Sequence, residues 1–195
     1  MEIRCFLAIN FPSELKAHLA ELEADLKEAG ADVSWVKAEN IHLTLKFLGE
    51  VGEERISSIQ AAIREGLPEE GPLSLSLAGL GAFPNPRSPR VIWVGVEGEK
   101  ERLLRLQEGL EQTMEKLGFP REARAFSPHI TLGRVRSRQG CAELMGLVDR
   151  LQGCRLGDLE ARTVELMRSQ LHPTGAVYSI LESFPLFASH GSNSK

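Results

Sequence analysis

The sequence is poor in cysteine and offers no pattern that would pair its thiols. Only Cys5, Cys141 and Cys154 occur among 195 residues, and no two of them form a CxxC motif. An odd number of widely spaced cysteines argues against a disulfide framework and against a zinc ribbon. Cys5 alternates with Ile3 and Leu7 and is therefore predicted to be a thiol of the core.

Long apolar runs and an excess of positive charge are also missing. No run approaches the roughly 20 apolar residues that a membrane span needs, and the N-terminal stretch lacks the pattern of a signal peptide. We expect a cytoplasmic monomer without a membrane partner. Proteins that coat long nucleic acids are normally basic, whereas the net charge here is −4. Any nucleic-acid substrate is therefore expected to be gripped at one end.

The most informative feature is an internal repeat with an offset of 87 residues. Four segments match in the same order: residues 6–9 with 93–96, 41–45 with 128–132, the stretch from 54 with the stretch from 141, and 73–80 with 160–167. Only two copies occur and the period is too long for a solenoid. We predict one domain over residues 1–187, with copies at about 1–86 and 87–187, followed by a disordered tail over 188–195.

Each copy shows the same order of predicted elements. A β-branched run (3–9 or 91–96) predicts a strand, and leucines at a spacing of three or four then predict a helix that ends at Gly30 or Gly118. A strand containing His-x-Thr follows, then a second helix (54–65 or 142–151) and a closing strand. Strands that alternate with helices in this way predict an α+β protein with two pseudo-symmetric lobes and a cleft between their sheets.

Side chains of a strand alternate between its two faces. In the first copy this alternation separates a polar set from an apolar set: His42, Thr44 and Lys46 against Leu43, Leu45 and Phe47. In the second copy it separates His129, Thr131 and Gly133 from Ile130, Leu132 and Arg134. If a pseudo-twofold axis relates the lobes, the polar faces meet and line one cleft.

Two histidines and two threonines in one cleft suit the opening of a phosphodiester. Imidazole titrates near pH 6.5, so one ring can act as base on the attacking water while the other protonates the leaving oxygen. Hydroxyls of Thr44 and Thr131 can donate to the non-bridging phosphate oxygens. Lys46 adds positive charge on the same face, and because its counterpart is Gly133, the two histidines need not play equal roles.

Other candidate groups are weaker. Arg134 has the wrong parity unless a bulge re-aims it, and the basic linker residues Arg87 and Arg90 lie within reach of a phosphate. Each His-x-Thr element supplies one imidazole and no neighbouring carboxylate, so we expect no metal site. The sequence contains neither GxxxxGK[ST] nor GxGxxG, and we expect no ATP, NAD or other cofactor.

The paired motifs 42–45 and 129–132 resemble the duplicated HxTx signature of the 2H phosphoesterase superfamily. Residues 4–9, Trp35 with Val36, and 46–49 narrow the resemblance to the RNA 2′,3′-cyclic phosphodiesterases, first described as 2′-5′ RNA ligases of the LigT or ThpR type. Residues 126–128 and 184–186 extend it, so that it covers roughly residues 1–187.

This resemblance implies a fold of two pseudo-symmetric, mostly antiparallel sheets that flank a central cleft, with helices on the outer faces. It also implies a metal-independent hydrolase that converts 2′,3′-cyclic RNA ends into 2′-phosphates, with His42 as proton donor to the departing 3′ oxygen and His129 as proton acceptor. Reversible 2′-5′ ligation is a further implied activity. RNA ends with a cyclic phosphate, tRNA fragments among them, are the expected partners.

Two alternatives stay open at the level of sequence. One is a 2H enzyme that acts on small cyclic nucleotides, with the same residues and a different pocket. The other is a non-catalytic protein that binds RNA ends, although binding alone does not require two titratable groups. A turnover assay on a cyclic-phosphate nucleotide, followed by a short RNA with the same end, distinguishes these possibilities.

Overall fold

The computed structural model describes residues 2–173 and 175–187, which form nine strands and four α-helices. The strands are β1 (Glu2–Asn10), β2 (Val33–Trp35), β3 (His42–Gly52), β4 (Leu73–Phe83), β5 (Val91–Gly98), β6 (His129–Val135), β7 (Arg155–Ala161), β8 (Thr163–His172) and β9 (Gly175–Pro185). The helices are α1 (Ser13–Lys27), α2 (Ile56–Gly66), α3 (Lys100–Lys116) and α4 (Cys141–Arg150). The tail predicted over 188–195 lies outside the described residues.

The strands form two sheets in which each neighbouring pair is antiparallel. The first sheet has the order β3-β1-β8-β9 and the second the order β2-β6-β5-β4-β7. Central strands β1 and β5 occupy equivalent places in the two sequence copies, as do the histidine strands β3 and β6. The predicted α+β architecture with two related sheets is confirmed.

The two sequence copies exchange strands between the sheets, since β2 and β4 of the first copy lie in the second sheet and β8 and β9 of the second copy lie in the first. β4 belongs to the first copy but pairs with β5 in the second sheet, and β8 belongs to the second copy but pairs with β1 in the first sheet. Each central strand therefore obtains one neighbour from its own copy and the other neighbour from the other copy. A lobe of this protein is a sheet built from both copies, so neither copy completes its sheet alone.

The helices cover one face of each sheet and share one continuous core. The leucine spacings predicted for α1 and α3 are confirmed, and their buried sides are Leu15, Leu19, Leu22 and Leu26 for α1 and Leu103, Leu106, Leu110 and Met114 for α3. α3 contacts β3 of the first sheet and β4 of the second, which ties the sheets together. Cys5 is fully buried in this core, as predicted, and burial raises its pKa to about 11.

A β-bulge in β3 changes which side chains leave the core. Thr44 lies opposite Ala8 and Lys46 lies opposite Leu7, so Leu45 is an extra residue between two consecutive partners. One extra residue reverses the alternation of faces beyond it. Lys46 therefore shares the helix-covered face with Leu7, and Phe47 turns to the other face, hereafter the cleft face. The prediction that Lys46 lies beside His42 and Thr44 was wrong, as was the placement of Phe47 with the core residues.

The same bulge recurs in β6 at the equivalent residue, Leu132. Thr131 lies opposite Trp93 and Gly133 lies opposite Ile92, and Ile92 is fully buried in the core. Gly133 therefore faces the core, contrary to the prediction that it shares a face with His129. Arg134 turns to the cleft face, because the bulge reverses its orientation as the sequence allowed.

Lys46 is buried beneath the sheet and paired. Its Nζ donates to Oε2 of Glu111 on α3 at 2.7 Å and to the carbonyl oxygen of Pro120 at 2.9 Å. Gln107 donates to the other carboxylate oxygen of Glu111 at 3.1 Å. Since both charged side chains are at most 4% exposed, the pair fixes α3 and the chain after it against the histidine strand.

This pair generates a prediction about stability. Lys46→Met should lower the free energy of unfolding by about 3–5 kcal/mol, because removal of one partner leaves the Glu111 carboxylate buried without its cation. Urea unfolding of the variant measures the change. The double variant Lys46→Met/Glu111→Leu should recover most of the loss. A Lys46→Met protein as stable as the parent would contradict the structural role of this pair.

Candidate active site

The two histidines begin equivalent strands and lie on the cleft faces of the two sheets. His42 is the first residue of β3 and His129 the first residue of β6. Each shares its face with the threonine two residues later, because the bulge comes only after the threonine. β3 and β6 contact each other, and Tyr178 of the first sheet lies within electrostatic range of Arg134 of the second. The four residues predicted to form the site therefore all lie on the sheet faces that the helices leave uncovered.

Both imidazoles are oriented by the same hydrogen bond. Nδ1 of His42 lies 2.7 Å from the carbonyl oxygen of Asn40, and Nδ1 of His129 lies 2.7 Å from that of Ser127. A carbonyl oxygen only accepts, so Nδ1 carries the hydrogen in each ring. Nε2 of each ring is thereby left to accept a proton when the ring is neutral or to donate one when it is charged.

The surroundings of His42 disfavour its charged form. Burial lowers the pKa of His42, and the positive charge of Lys16 on α1 lowers it further, while the hydrogen bond to the Asn40 carbonyl opposes this shift. Nε2 of His42 lies 2.8 Å from the hydroxyl oxygen of Thr44. Thr44 therefore donates to the neutral ring and holds its reactive nitrogen in place.

Asn40 connects the first histidine to the far hairpin of its own sheet. The Asn40 side chain is buried, and its Nδ2 donates to the carbonyl oxygen of Ala176 in β9 at 2.6 Å. Its main-chain carbonyl is the acceptor for His42. The equivalent residue in the second copy is Ser127, so the support of the two histidines differs.

Aromatic side chains surround His42, and sequence reasoning missed them. Phe6 and Tyr178 lie 4.8 and 5.4 Å from the His42 ring, measured between ring centroids. Phe47 lies 5.9 Å from Phe6 and is 51% exposed. Alternation of faces placed Phe47 in the core, and Tyr178 comes from a strand far away along the chain. Neither residue carried a recognisable local signal.

The second sheet has its own aromatic surface next to His129. The ring of Phe83 lies 5.0 Å from the His129 ring, edge to face, and 5.1 Å from the ring of Trp93. Phe83 is the last residue of β4, and the exposed linker with Arg87 and Arg90 follows it directly. Arg134 adds a positive charge to the cleft face of the same sheet.

Two arginines act electrostatically on Tyr178, which lies on the cleft face. Burial raises the pKa of Tyr178, and the charges of Arg134 and Arg4 oppose that shift. Both arginines therefore place positive charge near this phenol, although the protein has a net charge of −4. Local positive charge can attract a phosphate in spite of the overall charge.

Over residues 2–173 and 175–187, no three His, Cys, Asp or Glu side chains come together in a group that could hold a metal ion. In the same part of the chain, none of the helices has the length and apolar character that a bilayer span requires. The three cysteines are free thiols.

Two antiparallel sheets, each built from both copies and each with a His-x-Thr strand on its cleft face, define a duplicated two-histidine phosphoesterase. The sequence model of the family described as LigT-like phosphoesterase matches the chain twice, over residues 9–93 and 94–178. The chain belongs to this family.

The chain is similar to known relatives and to solved structures along almost its whole length. The RNA 2′,3′-cyclic phosphodiesterase of Methanothermobacter thermautotrophicus is 39% identical over 186 residues, which cover 95% of this chain and 100% of the relative. The protein of the same name from Thermotoga maritima is 35% identical, with coverage of 92% and 93%. The crystal structure of TT0787 of Thermus thermophilus has a TM-score of 0.80 at 33% identity, with coverage of 96% and 100%. Escherichia coli LigT complexed with 3′-AMP has a TM-score of 0.76 at 26% identity, with coverage of 95% and 99%.

The environment of His42 generates a prediction about titration. Lys16→Gln should raise the pKa of His42, because one of the two causes that lower it is removed. A pH titration of the imidazole by NMR measures the shift. Lys27→Gln, which removes a different cation of the same helix, is the matched control and should leave His42 unchanged. An unchanged or lower value in Lys16→Gln would show that Lys16 does not act on this ring.

Proposed function

We propose that the protein hydrolyses RNA 2′,3′-cyclic phosphate ends to 2′-phosphomonoesters, with His42 as proton donor and His129 as proton acceptor. The observation that carries this proposal is the common tautomer of the two imidazoles. Each ring holds its Nδ1 hydrogen on a main-chain carbonyl and leaves Nε2 for proton transfer on the cleft face. The name shared by the relatives from two organisms described above supports the choice of substrate.

The reaction follows from this pair. His129 Nε2 removes a proton from a water molecule, whose oxygen forms the new bond to phosphorus. The bond from phosphorus to the 3′ oxygen breaks on the opposite side, and His42 Nε2 gives that oxygen its proton. The products are a 2′-phosphate and a 3′-hydroxyl. The two imidazoles have then exchanged protonation states, and proton exchange with solvent restores them.

Thr44 and Thr131 are the proposed phosphate ligands. Each hydroxyl lies on the cleft face, and donors aimed at the non-bridging oxygens stabilise the charge that develops in the transition state. Thr44 donates to His42 in the free protein. When the Thr44 hydroxyl donates its hydrogen bond to a phosphate oxygen instead, Nε2 of His42 is free for its role as an acid.

The lowered pKa of His42 fits a proton donor once substrate is bound. In the free protein burial favours the neutral ring. A phosphodiester anion beside Nε2 favours the charged ring, because an opposite charge at close range stabilises imidazolium. Binding of substrate therefore favours protonation of His42. Because burial disfavours the charged ring, that ring then gives up its proton readily.

An RNA end fits the rest of the cleft. Exposed aromatic rings such as Phe47 stack on unpaired bases, which is how single-stranded ends are recognised. Arg134 supplies charge for a phosphate. The same opening of the cyclic phosphate, with a 5′-hydroxyl in place of water as the attacking group, makes a 2′-5′ linkage. We extend the proposal to tRNA fragments among the substrates, to action as a cytoplasmic monomer, and to one domain over residues 1–187.

Replacement of the proposed catalytic groups tests the mechanism. His42→Ala and His129→Ala should each lower turnover of a 2′,3′-cyclic nucleotide by ~10²–10⁴-fold, the usual contribution of a general acid or base. Thr44→Ala and Thr131→Ala should cost about 10²-fold, comparable to the loss of one oxyanion donor. Phosphorus NMR should identify a 2′-phosphate as the product of the parent enzyme.

Thermal unfolding of the four variants is the control, and all should remain folded because their side chains line the cleft. Ser127→Ala is a matched variant, since only its main-chain carbonyl contacts His129 and turnover should be retained. A 3′-phosphate product would overturn the bond assignment. Turnover near the parent value in His129→Ala would overturn the mechanism.

Independence from metal gives a second test. Two imidazoles and two hydroxyls carry the proposed reaction, and none of these groups needs a cation to act. Turnover of 2′,3′-cyclic AMP should therefore change by less than about twofold after dialysis against EDTA, whereas loss of a catalytic group would cost ~10²-fold or more. Loss of activity with recovery on addition of zinc or magnesium would contradict the two-histidine mechanism.

A further inference from the structure

The cleft face of the second sheet carries a tryptophan that the proposed reaction does not use. Trp93 lies opposite Thr131 on one side and opposite Gly81 on the other. Its neighbours along the strand, Ile92 and Val94, are fully buried in the core beneath the sheet. The indole therefore projects from the opposite face into the cleft, where it is only partly buried.

A glycine lets this indole lie against the sheet. A Cβ atom at Gly81 would lie 2.3 Å from Cζ2 of Trp93, whereas one at Gly95 would lie at an ordinary contact distance of 3.6 Å from Cζ3. The ring therefore packs over the bare backbone of Gly81, and the side chain stays partly exposed on the cleft face. Nε1 of Trp93 is buried and finds no hydrogen-bond partner among the described residues. A phenylalanine would avoid that cost, so the larger ring points to a use of its surface.

The indole is connected to the proposed base of the reaction. Phe83 lies 5.1 Å from Trp93 with an interplanar angle of 32°, and 5.0 Å from His129 with an angle of 85°. A continuous aromatic surface thus runs from His129 through Phe83 to Trp93. The loop with Arg87 and Arg90 begins directly after Phe83 and places positive charge at the end of this surface.

The geometry of phosphoryl transfer assigns the two aromatic surfaces to different nucleosides. The attacking and departing oxygens lie roughly in line on opposite sides of phosphorus. The ribose that carries the departing 3′ oxygen belongs on the side of His42, among Phe6, Tyr178 and Phe47. The attacking oxygen lies on the side of His129. When that oxygen is a 5′-hydroxyl, its nucleoside extends over the second sheet.

We propose that Trp93 and Phe83 form a second base-binding subsite, which stacks the base of the nucleoside on the 5′ side of a 2′-5′ phosphodiester. This inference rests on the proposed function, because it uses the assignment of His42 and His129. In the ligation direction the 5′ oxygen forms its bond to phosphorus as the bond to the 3′ oxygen breaks. His129 takes the proton of the 5′-hydroxyl and His42 supplies one to the 3′ oxygen, so no further reactant is needed.

An equilibrium binding experiment tests the subsite without turnover. One ligand is 3′-deoxyadenylyl-(2′→5′)-adenosine, which lacks the 3′-hydroxyl needed for cyclisation. The matched ligand is the methyl ester of 3′-deoxyadenosine 2′-phosphate, which has the same charge and lacks only the second nucleoside. The parent protein should bind the dinucleotide about 5- to 150-fold more tightly, as expected for one stacked base.

Variants decide whether Trp93 supplies that difference. Trp93→Ala should bring the affinity ratio of the two ligands close to one. Gly81→Ala keeps the indole but inserts a methyl group where Cζ2 lies, and it should reduce the ratio as well. Phe47→Ala is the matched control on the first sheet and should weaken both ligands by the same factor. In a Trp35→Phe protein, which retains Trp93 alone of the two tryptophans, the dinucleotide should quench the fluorescence and the methyl ester should not.

Equal binding of both ligands by the parent protein would overturn the subsite, as would an unchanged ratio in Trp93→Ala. The fluorescence experiment uses the native side chain at residue 93, so it decides the matter even if Trp93→Ala fails to fold. Failure of the proposed function has a different signature, since the parent protein would then not hydrolyse 2′,3′-cyclic AMP at all.

Discussion

The whole arrangement depends on how two central strands satisfy their backbone hydrogen bonds. An interior strand must be paired along both edges, and the unpaired groups of a buried edge are costly. β1 and β5 each obtain their second partner from the other copy, through β8 and β4. This exchange builds each sheet from both copies, and it brings β3 and β6 into contact. The placement of the two histidine strands is therefore a consequence of backbone pairing between the copies.

A bulge at the same place in each histidine strand reverses which side chains face the cleft and which face the core. Before the bulge, histidine and threonine face the cleft, while Leu43 and Ile130 between them face the core. Beyond it the alternation reverses, so Lys46 enters the core to pair with Glu111, and Phe47 and Arg134 enter the cleft. A bulge leaves one residue of an antiparallel pair without its partner, and this lowers stability. Since both copies nevertheless contain the bulge at the same place, we relate it to the shape of the cleft.

The copies share a mechanism of orientation but differ in chemistry. Both imidazoles present Nε2 to the cleft, yet His42 lies among aromatic rings with a lowered pKa, whereas the sheet of His129 contributes Arg134. The same position along the strand holds Phe47 in one copy and Arg134 in the other. A symmetric pair would not distinguish the attacking oxygen from the departing one. The differences around the motif give each histidine a distinct environment, as the proposed division of roles requires.

The sequence by itself determined the duplication, the order of the elements, the leucine faces of α1 and α3, and the shared face of each histidine and its threonine, on which the proposed site rests. These are local properties, carried by periodicity and by identical motifs at one offset. Only the tertiary structure decided the placement of Lys46, Phe47, Gly133 and Arg134, because a bulge is set by the register with a neighbouring strand. It also decided the strand exchange and the contact of Tyr178 with His42, since both join residues far apart in the chain, and such pairing leaves no local trace in the sequence.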